Sequence, residues 1–209
     1  MTRWFTSDLH LWHANIITFC NRPFADAKEM NEKLLENWNT YVKPEDHVYN
    51  LGDVTLHRGG KQQQEEFIKF HKQFNGHKRL FLGNHDHWPA QVYLDAGFEK
   101  LYGTWRDEQS LIYSHFPLHP SSLSTVRANV HGHIHDQDSP PPARFQLRDH
   151  AWVKDIQAGG DGFRYVPYIN ISVERTNYHP INFEELEKRI KDAVADARQA
   201  EGKAVETTS

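Results

Sequence analysis

The sequence lacks several features that define whole classes of protein. It has one cysteine in 209 residues, so no disulfide can form within the chain and nothing indicates secretion. No apolar run approaches the roughly 20 residues that span a bilayer, and we expect no membrane partner. The pattern of a signal peptide is also missing, because Asp8 and two histidines interrupt the first residues. These absences predict a soluble, cytoplasmic protein.

A strong charge of one sign is missing as well. The chain has 24 Lys and Arg residues against 28 Asp and Glu residues, which leaves a formal net charge of −4 at pH 7. A broad basic surface that binds a phosphate backbone non-specifically is therefore not expected. We predict no stable nucleic-acid partner, and the sequence leaves the oligomeric state open.

Composition and length indicate a globular domain. Hydrophobic residues make up 38% of the chain and charged residues 25%. The length suits one domain or two small ones, and we predict a single domain over residues 1–200. A segment rich in proline and glycine at about 136–167 is expected to be a surface insertion that forms one rim of a pocket. Residues 201–209 have the composition of a flexible C-terminal tail.

Apolar periodicity predicts alternating strands and helices. Short apolar runs predict strands at Arg3–Phe5, Val48–Leu51, Leu80–Leu82, Phe98–Tyr102, Ser110–Ser114, Ala128–Val130 and Tyr168–Glu174. Amphipathic repeats predict helices after Asp26, over Gln62–Asn75, over Pro89–Gly97 and after Asn182. Asp26 with Glu29, and Asn182 with Glu185, have the spacing of capping boxes that begin a helix.

Histidine, unlike cysteine, is abundant: the chain has 15. Neutral imidazole is the commonest metal ligand in proteins, so the positions of these residues matter. Five polar clusters each directly follow a short apolar run: Asp8-Leu9-His10, Gly52-Asp53, Gly83-Asn84-His85-Asp86, Ser114-His115 and Gly132-His133-Ile134-His135. Because ligand sites in α/β folds gather at the carboxyl ends of strands, the five clusters predict one shared site.

The five clusters match, in order and in residue type, the signature of the calcineurin-like metallophosphoesterases: D-x-H, GD, GNH followed by D or E, a lone H, and GHxH. The resemblance covers about Thr6 to His135, and no motif residue is substituted. The stretches Thr6–Ile17, Cys20–Phe24 and Ile171–Asn182 are most similar to small bacterial and bacteriophage members. The resemblance implies an α/β fold in which two mixed β-sheets flanked by helices form a four-layer α/β/β/α sandwich. It also implies the host cytoplasm as the location if a bacteriophage encodes the protein.

The resemblance further implies a site for two divalent metal ions. The first ion would bind four residues: Asp8, His10, Asp53 and His135. The second would also bind four: Asp53, Asn84, His115 and His133. Asp53 belongs to both sets and would bridge the ions. Oxygen and imidazole ligands without thiolate suit manganese, iron, zinc, cobalt or nickel, and we favour manganese.

The chemistry expected of such a site is hydrolysis of a phosphoester. A bound cation can lower the pKa of water from 15.7 toward roughly 7, and the resulting hydroxide would attack phosphorus in line. His85 belongs to the GNHD motif but is not a metal ligand in the family, so it is the expected general acid for the leaving group. Asp86 is the expected partner that orients His85 or raises its pKa.

Two further residues are candidates for contact with the substrate. His13 resembles an extra histidine that some small family members have near the metals. The guanidinium of Arg22 suits bidentate binding of a phosphate, although an arginine beside a proline in a loop is as often a structural brace.

The expected function is a phosphodiesterase that acts on small phosphorylated substrates, with 2′,3′-cyclic or 3′,5′-cyclic nucleotides favoured. The alternatives within the family are a phosphomonoesterase and a nuclease. A basic stripe leading to the site would favour the nuclease, and its candidate residues are Lys69, Lys72, Lys78 and Arg79. The alternative of another class is a non-catalytic metal-binding scaffold with this fold.

Overall fold

The computed structural model describes residues 1–56 and 59–206, which form a mixed α/β structure. The helices are α1 (Ala14–Phe19), α2 (Ala27–Tyr41), α3 (Lys61–His71), α4 (Ala90–Asp95), α5 (Asp149–Gln157) and α6 (Phe183–Glu206). The strands are β1 (Arg3–Thr6), β2 (His47–Asn50), β3 (His77–Phe81), β4 (Phe98–Tyr102), β5 (Thr104–Arg106), β6 (Leu111–Ser114), β7 (Ala128–His131), β8 (Ala143–Gln146), β9 (Phe163–Val166), β10 (Tyr168–Asn170) and β11 (Ile181–Asn182). Among the described residues, no helix has the length and apolar character needed to cross a bilayer.

The described strands form two mixed sheets and one antiparallel pair. The first sheet has the order β11-β1-β2-β3-β4, in which β1 to β4 are parallel and β11 is antiparallel to β1. The second sheet has the order β10-β7-β6-β5, in which β5 is antiparallel to β6. The separate pair is β8 with β9. Because β1, β2 and β3 are parallel neighbours, the loops that follow them leave the same edge of the first sheet.

Helices pack on one face of the first sheet. Helix α2 begins where the sequence predicts, since the carboxylate of Asp26 accepts a hydrogen bond from the Glu29 N–H at 2.8 Å. Its buried residues Met30, Leu34 and Trp38 recur at helical spacing and join one hydrophobic cluster with residues of β2, α3 and α4. The amphipathic helix predicted from the sequence is therefore confirmed.

The other face of the first sheet packs against the second sheet. The rings of Phe5 on β1 and Tyr113 on β6 stack with centroids 5.5 Å apart, within a cluster that also includes Val130 of β7. Leu186 and Ile190 of α6 belong to the same cluster. Burial of these apolar side chains joins the two sheets, which brings their edges close together.

The segment at 136–167 has regular structure of its own. It contains β8, α5 and β9, and its residues Ala143 and Val166 are buried in a third cluster with Leu123 and Tyr168. Part of this segment therefore packs against the second sheet, since Tyr168 begins β10.

Several predicted boundaries differ from the structure: helix α3 ends at His71 and not at Asn75, and strand β3 begins at His77 and not at Leu80. The strand that begins at Tyr168 ends at Asn170, because the Asn170 side chain accepts a hydrogen bond from the Ser172 N–H at 2.9 Å and turns the chain. Helix α6 continues to Glu206, so residues 201–206 of the predicted tail are helical. Alanine, glutamate and lysine in this stretch favour helix. Residues 207–209 lie outside the described residues.

The basic stripe suggested by the sequence is interrupted at Lys78, which is buried. Its ammonium group donates to the carbonyl oxygens of His71 at 3.1 Å and Phe74 at 2.7 Å. Burial lowers the pKa of Lys78 to about 8. Lys78 therefore satisfies carbonyl groups at the end of α3 and is not part of a surface that meets nucleic acid.

The buried His71 predicts a pH dependence of stability. Its ring packs against Phe98 with centroids 4.4 Å apart, and its Nδ1–H donates to the carbonyl oxygen of Ala96 at 3.0 Å. Burial lowers the pKa of His71 to about 3. In the unfolded chain, His71 binds a proton near pH 6.5, whereas in the folded protein it stays neutral until the pH nears about 3. The stability of the folded protein is therefore highest above pH 6.5 and decreases as the pH falls toward 3.

We predict that His71→Leu makes the unfolding free energy less dependent on pH between about pH 3 and pH 6.5. The slope against pH should decrease by up to about 1.4 kcal/mol per pH unit. The measurement is urea unfolding at several pH values. The same substitution at the exposed His150 should keep the wild-type slope. An unchanged slope in His71→Leu would contradict a buried, neutral His71.

Candidate metal centre

Five loops meet where the carboxyl edges of the two sheets lie side by side. They carry the polar residues predicted to form one site, which follow β1 (Asp8, His10), β2 (Asp53), β3 (Asn84, His85, Asp86), β6 (His115) and β7 (His133, His135). Backbone hydrogen bonds join neighbouring loops: the N–H of Asp8 donates to the carbonyl of Gly52 at 2.9 Å, and that of Gly132 donates to His115 at 3.0 Å. The five clusters thus share one site.

The backbone of these loops is strained. Asp8, His10, Asp53, His133 and His135 have φ angles of 60°, 51°, 52°, 72° and 51°. Residues other than glycine rarely adopt this left-handed conformation, which costs of order 1–3 kcal/mol per residue. Such strain persists only where the surroundings impose it, and it concentrates at functional sites. The backbone therefore supports a functional role for this edge independently of the side chains.

Asp53 lies at the centre of the cluster. Its Oδ2 is 3.3 Å from Nε2 of His115, 3.5 Å from Nε2 of His10 and 4.0 Å from Nε2 of His85. The Oδ1 of Asn84 is 3.1 Å from the same nitrogen of His115. Asp53 is 1% exposed. A buried carboxylate with three imidazoles around it has the position expected of a ligand that bridges two ions.

Asp8 forms a second group beside the first. Its Oδ1 is 3.8 Å from Nε2 of His10 and 3.9 Å from Nε2 of His135. Its Oδ2 accepts hydrogen bonds from the hydroxyl of Ser172 at 2.9 Å and from the N–H of His133 at 3.0 Å. Among the described residues, the ligand atoms of four sets lie within 4.8 Å of one another: Asp8, His10 and His135; Asp53, His115 and His133; His10, Asp53 and His85; and Cys20, His135 and Glu174. These clustered His and Asp side chains could hold metal ions, and their division between two ion sites stays a prediction.

The donor atoms of the cluster fit divalent cations. The Nε2 of His10 is buried without a hydrogen-bond partner among the described residues, which is costly unless another group binds it. Burial lowers the pKa of His10 well below its usual range, so the ring is neutral, which is the form that binds metals. Burial disfavours the charge on Asp53, but the hydrogen bond and charge of His115 outweigh it and lower the pKa of Asp53 to about 2. An ionised carboxylate therefore faces imidazole nitrogens, as at a cation site.

His115 carries a proton when no cation competes for its nitrogen. Burial lowers the pKa of His115, but its hydrogen bond to Asp53 and the charge of Asp8 outweigh burial and raise the pKa to about 9. Its Nδ1–H donates to the carbonyl oxygen of Leu51 at 2.8 Å, so Nε2 is the nitrogen that faces Asp53. A metal that binds this Nε2 must displace its proton.

Glu174 forms a hydrogen bond with His135, a candidate metal ligand. It lies on the turn Val173–Thr176, and its Oε1 accepts a hydrogen bond from Nδ1 of His135 at 3.0 Å. The bond holds the ring with Nε2 toward Asp8. Burial lowers the pKa of His135, but Glu174 and Asp8 outweigh it and raise that pKa. Glu174 therefore fixes both the orientation and the electron density of a candidate ligand.

Asp86 joins two of the site loops. Its carboxylate accepts backbone hydrogen bonds from Asp53 at 2.8 Å, Gly83 at 2.8 Å and Val54 at 3.1 Å. Burial raises the pKa of Asp86 to about 6, even though these hydrogen bonds lower it. Asp86 thus holds the loop after β2 against the loop after β3. Its expected role as the partner that orients His85 stays a prediction.

His85 and His13 face a pocket beside the cluster. The side chain of His85 is 25% exposed, and its backbone N–H donates to Oδ1 of Asp53 at 2.8 Å. Nδ1 of His13 lies 3.2 Å from Nδ1 of His10. The pocket has a volume of about 590 Å³ and is lined by His10, His13, Ile16, Phe19, Cys20, Leu56, His85, His135, Asp136 and Gln137. The two histidines are thus open to a bound molecule.

Arg22 is buried behind the site. Its guanidinium donates to the carbonyl oxygens of Asp8 at 2.8 Å and Leu9 at 2.9 Å, and it forms an ion pair with Glu174 at 2.6 Å. The side chain of Arg22 is 0% exposed. This environment favours the bracing role that the sequence left open over contact with a substrate phosphate.

Sequence reasoning missed Glu174 and Ser172. Ser172 lies 164 residues from Asp8 along the chain, and Glu174 lies 152 residues from Arg22. Neither residue stands in a motif of the five clusters. The signal for them was the stretch Ile171–Asn182, which resembles small bacterial and bacteriophage members of the family and contains both.

Relatives of the chain occur in an archaeon and in a bacteriophage. No family model matches the sequence. The chain is 30% identical over 185 residues to an uncharacterized protein of Methanocaldococcus jannaschii, which covers 88% of this chain and 89% of that protein. The two proteins belong to one family. The chain is also 31% identical over 162 residues to the Gene 66 protein of Mycobacterium phage D29, covering 64% of this chain and 78% of the phage protein.

A solved structure shares the fold of the family. A protein of unknown function from Aquifex aeolicus superposes with a TM-score of 0.58 at 26% identity, over 90% of this chain and 98% of its own. The nuclease MPE of Pseudomonas putida matches 64% of this chain and 61% of its own at 19% identity and a TM-score of 0.46. That likeness is too distant to assign a fold or an activity.

The hydrogen bond between Glu174 and His135 predicts an effect on metal binding. We expect Glu174→Gln to weaken the binding of Mn²⁺ by about 10- to 100-fold, because His135 loses its ionised acceptor. The measurement is isothermal titration calorimetry, with thermal unfolding to confirm that the buried site remains folded. Glu184→Gln, at an exposed position on α6, is the matched control and should bind Mn²⁺ as the wild type does. Wild-type affinity in Glu174→Gln would contradict the supporting role.

Proposed function

We propose that the protein is a phosphoesterase of the calcineurin-like metallophosphoesterase type that uses two divalent metal ions. The arrangement around Asp53 supports this proposal most directly, because one carboxylate oxygen lies within 4.0 Å of ring nitrogens from three histidines. The order of the motifs along the chain supports it as well. The four-layer α/β/β/α arrangement expected from the resemblance is part of the same proposal.

Each ion would be held by four side chains, as the motifs predict. The first set is Asp8, His10, Asp53 and His135. The second set is Asp53, Asn84, His115 and His133. When bound, the ions would supply a nucleophile by lowering the pKa of water and would offset the negative charge of the phosphoryl group. Manganese is the favoured metal, since it accepts both oxygen and imidazole ligands.

The charge of the site suits an anionic ester. Asp8 and Asp53 contribute two negative charges, which two divalent cations would outweigh. The protein as a whole is acidic, with a formal net charge of −4. With two such cations bound, positive charge would be concentrated at the proposed site and not spread over the surface, which suits a small phosphorylated substrate better than a long nucleic acid.

His85 is the proposed general acid. Its backbone N–H is held by Asp53, and its partly exposed ring lines the pocket. It would donate a proton to the oxygen that leaves phosphorus, a role worth about 10²- to 10⁴-fold in rate. Protonation of the leaving oxygen matters most for a poor leaving group such as the alkoxide of a sugar.

The proposed substrates are phosphodiesters of small nucleotides, with 2′,3′-cyclic and 3′,5′-cyclic nucleotides favoured. The pocket of about 590 Å³ falls within the range of small-molecule sites, which runs from roughly 300 to 1,000 Å³. Lys78 is buried and does not contribute to the basic surface stripe that would favour a nuclease.

None of the seven expected ligand residues is substituted, which argues against a non-catalytic scaffold.

Two substitutions separate catalysis from metal binding. We predict that the Mn²⁺-loaded wild type hydrolyses bis(p-nitrophenyl) phosphate and prefers it to p-nitrophenyl phosphate. His85→Ala should lower kcat by about 10²- to 10⁴-fold while two ions remain bound. Asp53→Asn should lose both ions, because the amide cannot bridge them as a carboxylate does. The measurements are steady-state kinetics and metal content by mass spectrometry.

Each outcome decides between the candidate functions. Equal loss of metal in the two variants would contradict the roles assigned to His85 and Asp53. Preference for the monoester, or for DNA or RNA, would favour the phosphomonoesterase or the nuclease. Failure of the metal-loaded wild type on every ester would favour the non-catalytic scaffold.

A further inference from the structure

We propose that the pocket beside the metal centre binds a nucleobase and that the ring of Phe19 is its stacking surface. This inference rests on the proposed function, because it assumes that the ester phosphate binds at the metal centre. It adds the residues that would recognise the rest of a nucleotide. The class of ligand follows from the two kinds of surface that the pocket offers.

One wall of the pocket is apolar and ends in an exposed aromatic ring. Phe19, at the end of α1, is 72% exposed, the largest exposure of any aromatic ring among the described residues with assigned burial. Ile16 and Leu56 line the same pocket. Single exposed apolar residues are common on proteins, but this ring shares a cavity with His10, His85 and His135. A flat apolar group bound there would remove the ring from water.

The spacing from Phe19 to the site matches the layout of a nucleotide. The ring of His13 neighbours both ends of this path, with its centroid 6.3 Å from that of Phe19 and 6.1 Å from that of His85. In a nucleotide, one sugar ring separates the base from the phosphate. A phosphate next to His85 would therefore place the sugar alongside His13 and the base on Phe19.

The pocket also has polar lining residues that can bind the edge of a base. Asp136 and Gln137 are exposed there, at the start of the 136–167 segment. The carboxylate of Asp136 accepts hydrogen bonds, as from an exocyclic amino group, and the amide of Gln137 both donates and accepts. The negative charge of Asp136 also repels phosphate, which favours binding with the phosphate toward the metal ligands.

Stacking of a base on an aromatic ring is worth about 1–3 kcal/mol when the ring is replaced by alanine, which is about 5- to 150-fold in affinity. Stacking uses the face of the base and tolerates any base, whereas the polar lining residues would select those that carry an amino group. The pocket therefore fits adenine, cytosine or guanine nucleotides better than an aliphatic phosphoester.

The test compares two probes that share the ribose 5-phosphate group, of which one carries a base. Isothermal titration calorimetry on the Mn²⁺-loaded full chain measures the affinity for adenosine 5′-monophosphate and for ribose 5-phosphate. We expect the wild type to bind the nucleotide about 5- to 150-fold more tightly than the sugar phosphate. Phe19→Ala should abolish most of this ratio, and Phe19→Tyr should keep it. Tyr41→Ala, which removes another exposed aromatic ring outside the pocket, should also keep it.

The outcomes separate this inference from the proposed function. Equal affinity for the two probes in the wild type, or an unchanged ratio in Phe19→Ala, would overturn the nucleobase site even if esters are hydrolysed. A Phe19-dependent ratio would support the site even in a protein that hydrolyses no ester. In that case the proposed catalytic function fails and the binding site stands.

Discussion

The burial of the Asp53 carboxylate among imidazoles is the constraint on which the rest of the site depends. A charged group with 1% exposure is stable only where partners surround it, and Asp53 has ring nitrogens of three histidines within 4.0 Å. Those histidines come from loops of both sheets, so the carboxylate requires the two sheet edges to lie side by side. The aromatic contact between Phe5 and Tyr113 joins the sheets and so maintains this arrangement.

The loops that meet at this site have strained backbone conformations. Five candidate ligands adopt left-handed backbone conformations, and the hydrogen bonds behind them hold those conformations in place. Asp86 ties the loops that follow β2 and β3, while Arg22 and Glu174 tie the loop after β1 to the turn after β10. Rigid support of this kind keeps like-charged carboxylates close together before a cation arrives.

Local features of the chain could be predicted from the sequence. Helix α2 was predictable because its cap and its apolar face depend on residues within a few turns of each other. Strand β4 has the predicted bounds Phe98–Tyr102, since apolar residues between turn signals indicate a strand. The gathering of five clusters followed from their positions after strands, because parallel strands end at a common edge.

Contacts between distant segments could not be predicted in this way. The hydrogen bond from Ser172 to Asp8 joins residues 164 positions apart, and no periodic pattern in the sequence predicts such a pair. The same holds for Glu174, which supports His135, and for the burial of Arg22. The strands β8 and β9 were missed because the Pro- and Gly-rich composition of their surroundings is typical of a loop.

Electron paramagnetic resonance of the Mn²⁺-loaded protein tests whether Asp53 bridges two metal ions. A shared carboxylate holds two cations at the roughly 3.5–4 Å typical of two-metal sites, where their spins are coupled. We expect two Mn²⁺ per chain with the spectrum of an exchange-coupled pair. One Mn²⁺ per chain, or the six-line spectrum of isolated ions at full loading, would overturn the bridging role of Asp53.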